Sequence, residues 1–263
     1  LGNTAQALKL ANHLQDLDPR SKVAVLVDFN NDVLTGAYSD AISKIDLLLN
    51  LDEPRREIYW ETLASFYSEP DSRKALKQAF AAQPSWGERV SIHLIRQNQG
   101  DLNLIDYVRG YPRNHSAFVN SIARRQNIDA AYDAFVSLLS DKEARGLQFP
   151  YDPTFSGLPG ARPFNWQVNS EAASFIRSGG LSIYYSGRER ATIVEQTTQI
   201  DPGQYDLVID ISGEQVAAGG RLEWTATCAG TDQTLLEFEQ TDLPSTPSAT
   251  RLELSVPNAG CRF

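Results

Sequence analysis

Apolar residues recur at helical spacing through the first half of the chain and alternate with polar ones through the second. Ala7, Leu8, Leu10, Ala11, Leu14 and Leu17 mark the stretch from Ala5 to Leu17 as one amphipathic helix. Steps into proline punctuate the helical half: Asp18-Pro19, Glu53-Pro54, Gln83-Pro84 and Tyr111-Pro112, at intervals of 35, 30 and 28 residues. Proline fixes φ and lacks a backbone donor, so it borders helices and rarely sits inside them. Glu69-Pro70 falls off this period. The pattern predicts roughly four helix pairs over residues 1–145.

From residue 163 the period changes to two. Phe164, Trp166 and Val168 alternate with Asn165 and Gln167, and Leu181, Ile183 and Tyr185 with Ser182 and Tyr184. A run from Ala191 to Ile200 turns at Asp201-Pro202-Gly203. Tyr205, Leu207, Ile209 and Ile211 then alternate with Asp206, Val208 and Asp210. Leu222, Trp224, Ala226 and Cys228 follow, then Leu235 to Glu239, then Leu252, Leu254 and Val256. Seven or eight short strands in roughly 100 residues predict an antiparallel, jelly-roll-like β-sandwich. Between the halves, Gly146 to Pro163 carries prolines at 150, 153, 159 and 163, which predicts an ordered, extended connector. The expected fold is multidomain: an all-α helical-hairpin repeat solenoid over 1–145, a connector over 146–162, and a β-sandwich over 163–263.

One helical unit carries a recognisable motif. Gly36-Ala37-Tyr38-Ser39-Asp40-Ala41 precedes Leu47, Leu48 and Pro54. A glycine, an aromatic two residues on, a small residue five on and a later proline resemble the tetratricopeptide repeat, a helix-turn-helix unit of about 34 residues. Gly36 tolerates the turn between two helices, and Ala41 lets them approach closely. Gly100-Asp101-Leu102 repeats the turn 64 residues later. An irregular helical-hairpin array of another kind fits the shorter later intervals equally. Stacked repeats leave a concave groove; aligned on Gly36, Leu26, Asn30 and Val33 are the groove-facing positions. The resemblance implies a protein partner docked there, with Asn30 as a candidate grip or a plain solvated residue. A helical pattern that starts almost at Leu1 suggests that further repeats precede it.

The second half resembles the sandwiches of carbohydrate-binding modules and galactose-binding-like domains. Phe164-Asn165-Trp166, Gln196 ahead of Asp201-Pro202-Gly203-Gln204-Tyr205, and Leu222-Glu223-Trp224 leading to Cys228 carry the likeness. The same skeleton serves many ligands. The resemblance implies a binding module, contact with polysaccharide and a place in the bacterial envelope or exterior. Trp166 and Trp224 share the apolar register and are expected in the core. Tyr184 lies in the polar register beside Gly187-Arg188-Glu189-Arg190. Tyr184, Arg188, Arg190 and Gln196 are therefore the candidate ligand residues, since aromatic faces cover sugar rings and planar polar groups satisfy hydroxyls. The competing reading of Tyr184 is an exposed strand residue.

Charge and chemistry narrow the classes. The net charge of −9 opposes nucleic-acid binding, which needs a surplus of Lys and Arg. Residues 1–147 hold 17 basic against 19 acidic side chains, and residues 148–263 hold 7 against 14. The longest apolar run is Val23 to Val27, too short to span a bilayer. His13, His93 and His115 all lie in the helical half at no zinc spacing, so no metal and no cofactor is expected. No nucleophile elbow, phosphate loop or dinucleotide fingerprint occurs, which predicts a non-enzymatic protein. Asp206 and Asp210, roughly 13 Å apart at the strand rise, are too distant for a glycosidase pair. They are read as solvated charges.

Two cysteines remain. Cys228 falls on the inward side of its strand and Cys261 follows the last one, an even number with no CxxC spacing. A Cys228–Cys261 disulfide is the favoured reading, with two buried thiols as the alternative. The disulfide implies a periplasmic or extracellular location.

Overall fold

The computed structural model describes residues 2–185, 189–213, 220–231 and 233–263, with side chains from Gln6 onward. Ten α-helices are described, followed by eight β-strands. The chain divides into two compact units, Leu1–Ala144 with Gly160–Arg162, and Arg145–Pro159 with Pro163–Phe263.

In the helical unit, α1 (Gly2–Leu17), α2 (Lys22–Thr35) and α3 (Tyr38–Leu51) pack one after another. They are followed by α4 (Arg56–Ser65), α5 (Pro70–Ala81), α6 (Gly87–Gln97) and the single turn α7 (Ile105–Val108). The last three are α8 (His115–Arg125), α9 (Ile128–Leu138) and the short α10 (Asp141–Arg145). The packing has two rows. Helix α4 lies on α6 and α6 on α8, while α3 lies on α5 and α5 on α7. Helical repeats stack in this way because each unit covers its apolar face with the next.

The prolines act where backbone donors are already orphaned. Pro70 opens α5, and Pro54 and Pro112 open 3-10 turns ahead of α4 and α8. Pro70 looks irregular in sequence because it starts the second helix of a pair. Gly36 ends α2 in the left-handed region at φ 77°; its N–H donates to the Val33 carbonyl and that of Ala37 to Asp32. This closure satisfies carbonyls that a helix end leaves open. Ala41 is fully buried beyond it.

The core of this unit is made of residues spaced by three and four. Ile45 and Leu48 of α3, Leu63 of α4, Leu76 of α5, and Val90 and Leu94 of α6 are all fully buried. Each such side chain contributes about 1.5–3 kcal/mol. Phe80 meets Trp86, Tyr107 and Tyr111 edge to face, with ring centroids 5.1–5.8 Å apart.

In the strand unit, β1 (Gln167–Val168) pairs with β4 (Val194–Glu195) around the inner pair β2 (Ala173–Phe175) and β3 (Leu181–Ile183). The order repeats: β5 (Gly203–Ile211) pairs with β8 (Ser248–Val256) around β6 (Leu222–Thr227) and β7 (Thr234–Gln240). All pairs are antiparallel. Among the described residues each sheet has two strands, so the expected face-to-face sheets stand as four ribbons. Several predicted runs pair only over two or three residues, as in Gln167–Val168 and Val194–Glu195.

The longest ribbon keeps the predicted alternation. Tyr205, Leu207, Ile209 and Ile211 are half-buried, and Gln204, Asp206, Val208 and Asp210 exposed. One core gathers Ile200, Cys228, Leu254, Val256 and Cys261, with Tyr205, Ala226, Leu235 and Leu236 packed around it. Cys228 and Cys261 form a disulfide, 33 residues apart in sequence. The chain end is also held by hydrogen bonds from the Ala229 N–H to the Phe263 carbonyl and the Ile200 N–H to the Arg262 carbonyl.

Residues of the expected connector fold into the strand unit as a tight loop. The buried Asp152 carboxylate accepts from the Ser156 hydroxyl and the N–H groups of Ser156, Gly157 and Leu158. The Asp152 carbonyl accepts from the Trp166 indole, whose ring lies 4.7 Å from that of Phe155. Extended geometry is replaced here because a single carboxylate gathers four donors.

Candidate functional site

On α2, Leu26 and Val33 are half-buried and Asn30 is exposed. They lie seven and four residues apart along one side of the helix. A neighbouring stripe is more open. Val23 and Leu34 flank Asn30 on the same helix and are 60% and 78% exposed. Leu10 and Leu17, one stripe of α1, are 61% and 72% exposed. Buried neighbours such as Ala24, Val25 and Phe29 hold α2 in place from its other side. The interior is thus complete without these four side chains.

Two ionic clusters brace the helices. Asp52, buried at the end of α3, accepts from the Tyr59 hydroxyl at 2.9 Å and lies 3.4 Å from Lys22 Nζ and 3.8 Å from Arg55 Nε. Burial pushes its carboxyl up, but the Tyr59 hydroxyl and the two cations outweigh this and hold it below the ordinary value. Asp101 accepts from the Tyr67 hydroxyl at 2.6 Å and from the Asn103 N–H. Burial raises that carboxyl too, and these donors with Arg73 bring it below the ordinary value. Burial also pushes the Tyr107 hydroxyl up to about 12. Each charged group here is answered by a neighbour, as in a brace between helices.

The candidate ligand residues of the strand unit have separate partners. Tyr184 follows the end of β3; it is exposed, and its hydroxyl donates to the Ser170 carbonyl at 2.9 Å. The exposed Arg190 pairs with Glu223 of β6. Gln196 is half-buried and clasps Tyr151, accepting from its N–H and donating to its carbonyl. Arg188 lies outside the described residues. Gln196 thus holds a loop, a role that no local pattern marks, because its partner is 45 residues away. Ile183 and Tyr185, next to Tyr184 in the chain, are exposed, as are Phe175 at the far end of the paired strand and Ile176 after it.

Asp206 is ion-paired with Arg251 at 3.2 Å across the β5–β8 ribbon. Trp166 and Trp224 are each half-buried, short of the full burial expected. The Trp224 indole N–H has no hydrogen-bond acceptor among the described residues.

A further cluster escaped the sequence reading. His93 of α6 is buried, and its Nε2 lies 3.3 Å from Oε1 of Glu57 on α4, with Glu61 one helical turn further along. The only sequence signal is the Glu57/Glu61 spacing on a predicted helix, which is common on solvated faces. The packing of α4 on α6 supplies the histidine. No helix among the described residues is long and apolar enough to cross a membrane. No protein-family model matches the chain, and no curated protein or solved structure matches it either.

Proposed function

We propose that this protein is a non-enzymatic binding scaffold whose tetratricopeptide-like helical array docks a protein partner. The exposed apolar stripes of α1 and α2 carry this reading. Leu10, Leu17, Val23 and Leu34 are mostly exposed, and apolar side chains left open on two adjoining helices support a protein-interaction surface. Leu26, Asn30 and Val33 border it and would contribute contacts. The disulfide supports an oxidising location, periplasmic or extracellular, and the resemblance of the second half to carbohydrate-binding modules supports a bacterial envelope or exterior.

The test is photo-crosslinking from position 30 in native cells, with and without the double change Leu17→Glu and Leu34→Glu. The expected result is one discrete adduct that the double variant loses while keeping its melting temperature, because both positions are exposed. An adduct unchanged by the double variant overturns this surface.

A second reading gives the strand unit, as a jelly-roll-like sandwich, a polysaccharide ligand. It rests on Tyr184, whose ring stays exposed while its hydroxyl is held, with Tyr185 and Phe175 also exposed. A polysaccharide array decides it. Retention that Tyr184→Ala removes supports the reading, and no retention leaves the strand unit as part of a protein-binding scaffold.

A further inference from the structure

Glu57 and Glu61 stand one turn apart on α4, so their carboxylates share a face. Like charges at this spacing repel, and Glu61 has no ion pair among the described residues. Opposite them is His93 of α6, 7% exposed, on the side of the helix that also carries the buried Val90 and Leu94. The polar neighbour of its ring is the Glu57 carboxylate, itself a member of the cluster. One donor atom from each of the three residues lies within 4.8 Å of the others.

We infer that Glu57, Glu61 and His93 form a binding site for a divalent transition-metal ion of the zinc type, bridging α4 and α6. The donor chemistry selects the ion. One imidazole nitrogen with two carboxylate oxygens suits zinc, whereas calcium and magnesium take oxygen ligands alone. The spacing fits as well. Bonds of about 2.0–2.2 Å at tetrahedral angles put neighbouring ligand atoms about 3.4 Å apart, and His93 Nε2 stands 3.3 Å from Glu57 Oε1. The Glu61 oxygen lies within 4.8 Å of the other two donor atoms, and its exposed side chain is free to close that gap. The histidine is pre-set by packing and the carboxylates converge on it. Because Glu57 and Glu61 are exposed, a water would complete the shell.

The site would cross-link two helices of one row, and its two glutamates would no longer repel. The experiment is a zinc titration of the full 263-residue chain against a fluorescent zinc indicator, in buffer freed of other metals. The expected result is one zinc per chain and a rise in melting temperature with zinc. Glu61→Gln, at an exposed position, should weaken binding at least about 10-fold and abolish the rise with zinc, while the apo melting temperature stays the same or rises slightly as the repulsion with Glu57 is relieved. His93→Gln should do the same for binding. Circular dichroism checks its fold, and Glu61→Gln decides the matter if that variant does not fold. No saturable binding, or equal affinity in Glu61→Gln, overturns the site and leaves Glu57–His93 as a simple side-chain contact between two helices.

Discussion

Asp152 shows how much one carboxylate can organise. Its four donors come from a span of three exposed residues, so removing the buried carboxylate takes away the acceptor that closes the loop. Burial raises its carboxyl, but the Ser156 hydroxyl and the three N–H groups outweigh this, and the folded value lies below the ordinary one. The folded state therefore binds this proton less readily than the unfolded chain. Its contribution is complete above about pH 4, the unfolded value, and is lost as pH falls through the folded value. Asp152→Ala should cost about 2–3 kcal/mol in urea melts at pH 7. The difference from the unchanged chain should shrink as pH is lowered below 4. A cost that persists undiminished in acid would remove the carboxylate from this role. In the sequence Asp152 reads as part of a connector, and its neighbours Pro150 and Pro153 hide the turn. Its donors become visible only when the loop closes.

At the scale of elements, the fit of α6 against the turn before α8 turns on the absence of a side chain. A Cβ on Gly87 would stand 1.8 Å from the Tyr111 hydroxyl oxygen and 2.2 Å from its ring carbon. That hydroxyl donates to the Pro84 carbonyl, and the ring packs on Phe80. Gly87→Ala should therefore expel the Tyr111 ring, at about 2–4 kcal/mol. In a Tyr111→Ala background the same change should cost much less, and the double-mutant cycle measures the coupling. Additive costs would mean that the helix moves and the ring stays. The helices themselves are legible from apolar spacing and proline steps, because a helix reports its period over a dozen residues. β2 escaped that reading, since three residues carry too little alternation to register.

For the molecule as a whole, the disulfide decides how firmly the chain end is held. Closing a loop of this length removes unfolded-state freedom worth about 3–4 kcal/mol. Reduction, or Cys228→Ser with Cys261→Ser, should speed amide exchange in β5, β8 and the Ala229 region by that amount. Exchange in α3 to α6 should be unchanged, since those helices bury their own core. Hydrogen exchange read by mass spectrometry checks both statements. Acceleration spread evenly over the chain would contradict the division into two compact units.

The sequence by itself determined a helical half followed by a strand half, the turn at Gly36 and the inward register of β5, and it favoured the pairing of the two cysteines that the structure shows. These depend on periodicity and on backbone rules that act within a few residues. Tertiary structure alone brought His93 to Glu57 and Glu61, tied Gln196 to Tyr151 and left Leu17 and Leu34 uncovered. Such contacts join positions tens of residues apart, and their distances depend on how one packed element meets another, which no local pattern encodes.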